Sequence, residues 1–142
     1  MESLTPKQLL SMQLFSTLSI DQCTQLLDRH HFSRYEAEQV FLMEQDWGET
    51  IYILQSGIAK VRTYTSDGVE VIMSLLGEGD IFGEIAAIES SARTADVVAL
   101  TKGYLLKLRS GPFISLLKKE ANFALSLYHL QSSRLRELNQ RF

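Results

Sequence analysis

Residues 60–75 read KVRTYTSDGVEVIMSL, and this stretch decides the fold class. Polar and apolar residues alternate before Asp67-Gly68, and a run rich in β-branched residues follows it. Asp-Gly between two such runs is a strong hairpin signal, because a type I′ turn needs positive φ at both central residues. The stretch therefore predicts two antiparallel strands joined by a type I′ turn at Asp67-Gly68.

Short strand-like runs with glycine turns continue on both sides of this hairpin. IYIL at 51–54 ends at Ser56-Gly57, and GYLLKL occupies 103–108. Further glycines that punctuate the segment between them are Gly77, Gly79 and Gly83. Many short strands with turns of this kind predict an antiparallel β jelly-roll barrel over residues 32–108.

The two ends of the chain have helical patterns. Thr5 followed by Pro6 and Gln8 is a helix start with a capping box, and Ser19 with Gln22 repeats it. These signals predict two short N-terminal helices over residues 6–14 and 20–30, within a helical segment 6–30.

Two helices are also predicted over residues 110–142, where Ser110 can cap the first and Pro112 lies in its first turn. The fold class is mainly β with flanking helices, in a single domain over residues 1–142. In the last helix, side chains recur at spacings of three and four that are typical of a coiled-coil seam: Tyr128, Gln131, Leu135, Leu138 and Phe142. The seam predicts a homodimer through this helix, and the alternative is a stripe packed on the barrel.

Composition restricts the function classes. The formal net charge is −3, with basic residues scattered, so we expect no direct nucleic-acid contact. No apolar run approaches the ~20 residues of a membrane helix, and MESLTPKQLL is not a secretory signal, so we expect a cytoplasmic protein without membrane contact. The single cysteine, Cys23, is expected to be a buried, inert thiol.

Catalytic and metal-binding patterns are not evident in the sequence. The histidines, His30, His31 and His129, do not fall on predicted strands, so we expect no metal site of the kind that β-barrel enzymes carry. No Ser–His–Asp or Cys–His arrangement is indicated either. We therefore expect a protein that is not an enzyme.

The segment DIFGEIAAIESSARTADV at 80–97 places an acid, Glu84, directly after a glycine and nine residues before Arg93. A charge in an apolar run needs a partner, so the two side chains either pair with each other or await a ligand. Gly83 permits close backbone approach, and a short helix from Glu84 would offer free N–H groups to an anion. Arg93 adds a fork suited to phosphate, and Thr94 adds a hydroxyl donor.

Glu84 would repel a bare phosphate, but it suits a ligand that also carries a hydroxyl group. Carboxylates accept ribose 2′-OH groups in dinucleotide-binding folds. A ribose with a phosphate close to its 2′-OH satisfies both side chains, and a 3′,5′-cyclic nucleotide is one such ligand.

The same segment resembles the phosphate-binding cassette of the cyclic nucleotide-binding domain, a family that includes catabolite activator proteins, protein kinase A regulatory subunits and cyclic-nucleotide-gated channels. The matching residues are Phe82-Gly83-Glu84 and Arg93-Thr94-Ala95. DWGETIYILQSGIAKV at 46–61 and GEGDIFGE at 77–84 extend the similarity, which covers the chain from about Leu9 to Phe142.

The resemblance implies a role for each matching residue. Glu84 would accept the ribose 2′-OH, and Arg93 and Thr94 would hold the cyclic phosphate. The adjoining Ala95, which also matches the motif, is a further predicted ligand-binding residue. Backbone N–H groups would complete the grip at Gly83, Glu84, Ile85 and Ala86. Interior contacts for ribose and base would come from Val61, Ile72, Leu75 and Val97.

In the family the final helix covers the purine, and Leu138 and Asn139 fall about where base-contacting side chains are expected. Thr94 directly after the arginine is similar to members that accept cGMP, so both cAMP and cGMP remain open as ligands. Two alternatives also remain: a ligand-free dimerisation or interaction module, and the sensory half of a Crp/Fnr-type transcription regulator without its DNA-binding domain.

Overall fold

The computed structural model describes residues 2–43, 49–89, 93 and 95–140, and it leaves the side chains of 138–140 undescribed. The strands are short, as the glycine-punctuated pattern predicts. They are β1 (His31–Tyr35), β2 (Val40–Leu42), β3 (Thr50–Ser56), β4 (Ala59–Tyr64), β5 (Glu70–Leu76), β6 (Ile81–Phe82), β7 (Asp96–Ala99) and β8 (Gly103–Arg109).

The strands form two four-stranded sheets of antiparallel pairs, in the orders β1-β8-β3-β6 and β2-β7-β4-β5. This interleaving of early and late strands is the jelly-roll arrangement, in which two sheets face each other. The predicted fold class is confirmed, with one correction. The sheets are not closed into a single barrel, because no hydrogen-bonded pairing joins the edge strands of one described sheet to those of the other.

The hairpin lies where residues 60–75 predict it, but the prediction of a type I′ turn is wrong. Gly68 has φ +81°, whereas Asp67 is not among the described non-glycine residues with positive φ. The N–H of Gly68 donates to Thr65 O at 2.9 Å, and the N–H of Thr65 donates to Val69 O at 2.9 Å. These bonds define a three-residue loop in which a type I turn is followed by a left-handed glycine.

The helices are α1 (Pro6–Leu10), α2 (Ile20–Leu26), α3 (Glu84–Glu89), α4 (Ser110–Lys119) and α5 (Ala121–Gln140). Both predicted capping boxes are present, at Thr5 and Ser19. The two N-terminal helices end earlier than predicted, and a 3-10 turn at Gln13–Phe15 takes the place of the last part of the first one. Ser110 is the first residue of α4 rather than its cap, which is Arg109.

The core has two parts. One lies between the β1-β8-β3-β6 sheet and the helices, where Phe123 contacts Phe15 and Phe113 at ring-centroid distances of 5.8 and 5.2 Å. It also contains Cys23, which is fully buried as predicted and whose thiol has a pKa raised by that burial. The other part fills the space between the two sheets, beside the site described below.

No helix within the described ranges combines the length and the apolar character needed to cross a membrane.

Candidate ligand-binding site

The turn between β6 and α3 brings the backbone unusually close to Arg93. Gly83 has φ +80°, a conformation that side chains other than glycine rarely adopt. A Cβ atom at this position would lie 2.7 Å from Arg93 Nη1 and 3.0 Å from Tyr52 Cδ2. Glycine is therefore required here both by the backbone conformation and by the space around it.

Glu84 is the first residue of α3, and its side chain faces inward. The residue is 3% exposed, and its Oε1 accepts a hydrogen bond from Gln131 Nε2 on α5. Burial of a carboxylate costs free energy that hydrogen bonds must offset. The amide of Gln131 provides such a bond, so α5 covers the acid.

Arg93 is buried to a similar degree, at 4% exposed. Its Nη1 donates to Gly83 O, and its Nη2 donates to Thr50 O at 3.2 Å. Its guanidinium carbon lies 5.9 Å from the ring centroid of Tyr52, within the range of a cation–π contact. These contacts fix the fork of the arginine beside the glycine turn.

Glu84 and Arg93 line one pocket of about 380 Å³. This volume lies within the range of small-molecule sites. The pocket opens between the β2-β7-β4-β5 sheet, α3 and α5. The predicted site residues that line it are Val61, Gly83, Glu84, Ile85, Ala86, Arg93, Ala95 and Val97.

Ile72 and Leu75 do not line this pocket and are 44% and 59% exposed, so their expected inward orientation is wrong. Val61 lies opposite Ser74, which does line it, so the adjacent Leu75 points the other way. At the bulge between Val61 and Arg62, β5 has one extra residue. Ile72 therefore pairs with Arg62, the residue next to Val61, whose side chain faces outward.

Other expectations lie outside the described part of the chain. Thr94 and the side chains of Leu138 and Asn139 are among them. Their predicted roles therefore stay predictions.

Several pocket residues were not anticipated from the sequence: Leu42, Ser74, Gln131, Arg134 and Leu135. Arg134 Nη2 donates to Ile81 O, and it lies 3.9 Å from Asp80 Oδ1. The seam spacing on the last helix places Gln131 and Leu135 on one face. This spacing could have pointed to them, but it does not indicate what that face contacts.

The arrangement combines an acid, two guanidinium groups and an apolar sheet surface in one cavity. Such a cavity can bind a small anionic ligand that also has a hydroxyl donor and an apolar part. No group of three His, Cys, Asp or Glu that could hold a metal ion occurs among the residues whose positions are described.

Comparison with known proteins identifies the class. The family model for the cyclic nucleotide-binding domain matches residues 32–120, which include the whole cassette. The chain belongs to the cyclic nucleotide-binding domain family.

Two individual relatives illustrate the similarity. The chain is similar to the cyclic AMP receptor protein of Thermus thermophilus, with 29% identity over 126 residues that cover 87% of this chain and 57% of that protein. It is 37% identical over 107 residues to the cAMP-dependent protein kinase regulatory subunit of Eremothecium gossypii, covering 75% of this chain and 22% of that subunit. Both relatives are therefore considerably longer than the region they share with this chain.

A solved structure of a regulatory domain is also similar to this chain. The regulatory domain of Toxoplasma gondii protein kinase A, crystallised with cAMP, superposes with a TM-score of 0.72 at 28% identity, covering 87% of this chain and 47% of that one.

Proposed function

We propose that this chain is a non-enzymatic sensor of a 3′,5′-cyclic nucleotide, cAMP or cGMP. The observation that carries the proposal is the convergence of Glu84 and Arg93 in one pocket of about 380 Å³ beside a glycine turn. The family assignment and the cAMP complex of the Toxoplasma gondii relative support it.

Each side chain has a part in the proposed complex. Arg93 binds the cyclic phosphate, because its planar fork matches two phosphate oxygens and carries a permanent positive charge. Glu84 accepts a hydrogen bond from the ribose 2′-OH. Thr94 and the backbone N–H groups from Gly83 to Ala86 add donors to the phosphate, while Val61 and Val97 contact the apolar faces of ribose and base.

The last helix supplies the response. Gln131, Arg134 and Leu135 lie along one side of the pocket, where α5 is positioned to cover a bound base. Elsewhere on α5, Leu125 and Tyr128 are 52% and 63% exposed, which favours a second copy of the chain as the partner that buries them. In this proposal the cytoplasmic homodimer transmits ligand binding through α5.

A second candidate setting is the sensory part of a Crp/Fnr-type transcription regulator. The identity of 29% to the cyclic AMP receptor protein favours it. In that setting this chain would bind the nucleotide, and a different segment would contact DNA, because the charge of this chain is −3.

Calorimetric titration of cAMP and of cGMP tests the proposal. Arg93→Ala should weaken binding by roughly 2–5 kcal/mol, since it removes one partner of a buried charge pair. The control is Arg109→Ala, an exposed arginine whose Nη1 lies 3.1 Å from Asp28 Oδ2, and it should bind as the unmodified chain does. Unchanged affinity in Arg93→Ala would overturn its assigned role. Absence of binding to the unmodified chain would favour a ligand-free interaction module.

A further inference from the structure

The two halves of α5 are attached to the rest of the molecule in different ways. The first half is anchored in the core by Phe123 and Leu127, which are 0% and 9% exposed. From Gln131 onward, the described contacts with the cassette are polar: Gln131 Nε2 donates to Glu84 Oε1, and Arg134 Nη2 donates to Ile81 O. Polar contacts of this kind can be exchanged for contacts with a ligand, whereas a buried phenylalanine cannot.

We propose that Gln131 is an internal competitor of the ligand, whose side-chain amide occupies the acceptor that the ribose 2′-OH takes on binding. This inference rests on the proposed function and adds a regulatory step to it. The exchange releases the outer half of α5 from Glu84, and the helix is then free to move over the bound base.

Burial is the first argument for competition. Glu84 lines the pocket but is only 3% exposed, so most of its carboxylate surface is covered while α5 is in place. A hydroxyl on a ring as large as ribose therefore needs one of the covering groups to move. Gln131 is the covering group whose own hydrogen bond the hydroxyl can replace, because both are neutral donors to the same carboxylate.

The chemistry of the exchange is the second argument. When the hydroxyl replaces the amide, the carboxylate keeps a donor, so little hydrogen-bond energy is lost at Glu84. We call the hydrogen bond from Gln131 Nε2 to Glu84 Oε1 the latch. A nucleotide with a 2′-OH binds only the fraction of molecules in which this hydrogen bond is broken, and this lowers the apparent affinity of the nucleotide. A ligand that lacks the hydroxyl offers Glu84 no donor in place of the Gln131 amide, so it leaves the latch closed.

A comparison of cAMP with 2′-deoxy-cAMP tests this coupling. Gln131→Ala removes the latch in the free protein, so cAMP should bind about tenfold more tightly than to the unmodified chain. The same substitution should leave the affinity for 2′-deoxy-cAMP within about twofold, since the latch is then lost from the free and bound states alike. Ser132→Ala, at the next helical position, is the matched control and should change neither affinity.

A second measurement on the unmodified chain does not depend on how the variant folds. The side-chain amide signals of Gln131 in a ¹⁵N–¹H spectrum should shift on saturation with cAMP and stay in place with 2′-deoxy-cAMP. Weaker or unchanged cAMP binding by Gln131→Ala, or an equal gain for both nucleotides, would overturn the competitor role while leaving the sensor proposal intact. If the unmodified chain binds neither cAMP nor cGMP, the sensor proposal fails and this inference fails with it.

Discussion

Gly83→Ala is the substitution whose effects can be worked out most fully from the geometry. An alanine held near φ +80° costs about 1–2 kcal/mol of backbone strain. Its Cβ atom would also lie 2.7 Å from Arg93 Nη1, where ordinary van der Waals contact begins at 3.4 Å. The guanidinium must therefore move away from its hydrogen bond to Gly83 O.

Two quantities should change in this variant. The unfolding free energy should fall by the strain plus the loss of a hydrogen bond to a charged group, in total about 2.5–5 kcal/mol. Cyclic nucleotide affinity should fall about tenfold to a hundredfold, because the displaced fork no longer meets the phosphate. Urea unfolding followed by circular dichroism measures the first quantity, and calorimetry measures the second.

Gly79→Ala is the matched control. Gly79 has φ +85°, but a Cβ atom there would meet no heavy atom within 4 Å. This variant should lose about 1–2 kcal/mol of stability from strain alone and should keep its affinity for the nucleotide. Equal affinity losses in the two variants would refute the reasoning. Backbone strain would then account for the whole loss of affinity in Gly83→Ala, and the contact with Arg93 would account for none of it.

Three further predictions concern the scaffold. Tyr35→Phe should cost about 1–2 kcal/mol in urea unfolding, because the buried hydroxyl donates to Ser56 O at 2.6 Å and the carbonyl would lose that donor; an unchanged midpoint would contradict this. The hydrogen bond from Lys60 holds the pKa of Glu70 below its usual value. The stability that this hydrogen bond provides is therefore present above about pH 4.3, and it is lost as the pH falls through the lowered pKa. Glu70→Gln should therefore flatten the acid limb of stability against pH, and an identical limb would count against the pairing. Cys23 should react with a thiol reagent only after unfolding in urea, because burial both shields the thiol and raises its pKa; rapid labelling of the folded chain would be inconsistent with this.

Local signals in the sequence predicted what depends on local chemistry. The hairpin around Asp67-Gly68, the two capping boxes and the short helix from Glu84 each follow from a few adjacent residues, and the structure contains all of them. The type of the hairpin turn was missed because a type I turn followed by a glycine in the left-handed conformation also satisfies an Asp-Gly pair.

Features that depend on distant pairing were not predictable in the same way. The orientation of Ile72 is set by a bulge in its pairing with Arg62, and no single-strand pattern shows where an extra residue will be placed. The contact between Glu84 and Gln131 joins residues 47 apart in the chain. The seam pattern predicted that one face of α5 has a partner, but the same spacing fits a second helix and the cassette equally well.

The central claim is that Glu84 and Arg93 bind different parts of one sugar–phosphate ring. A crystal structure of the chain with cAMP or cGMP tests it directly. We expect a ribose hydroxyl at about 2.7 Å from a Glu84 carboxylate oxygen and phosphate oxygens at about 2.8 Å from the Arg93 guanidinium. A nucleotide bound elsewhere, or bound in this pocket with either side chain turned away from it, would contradict the account.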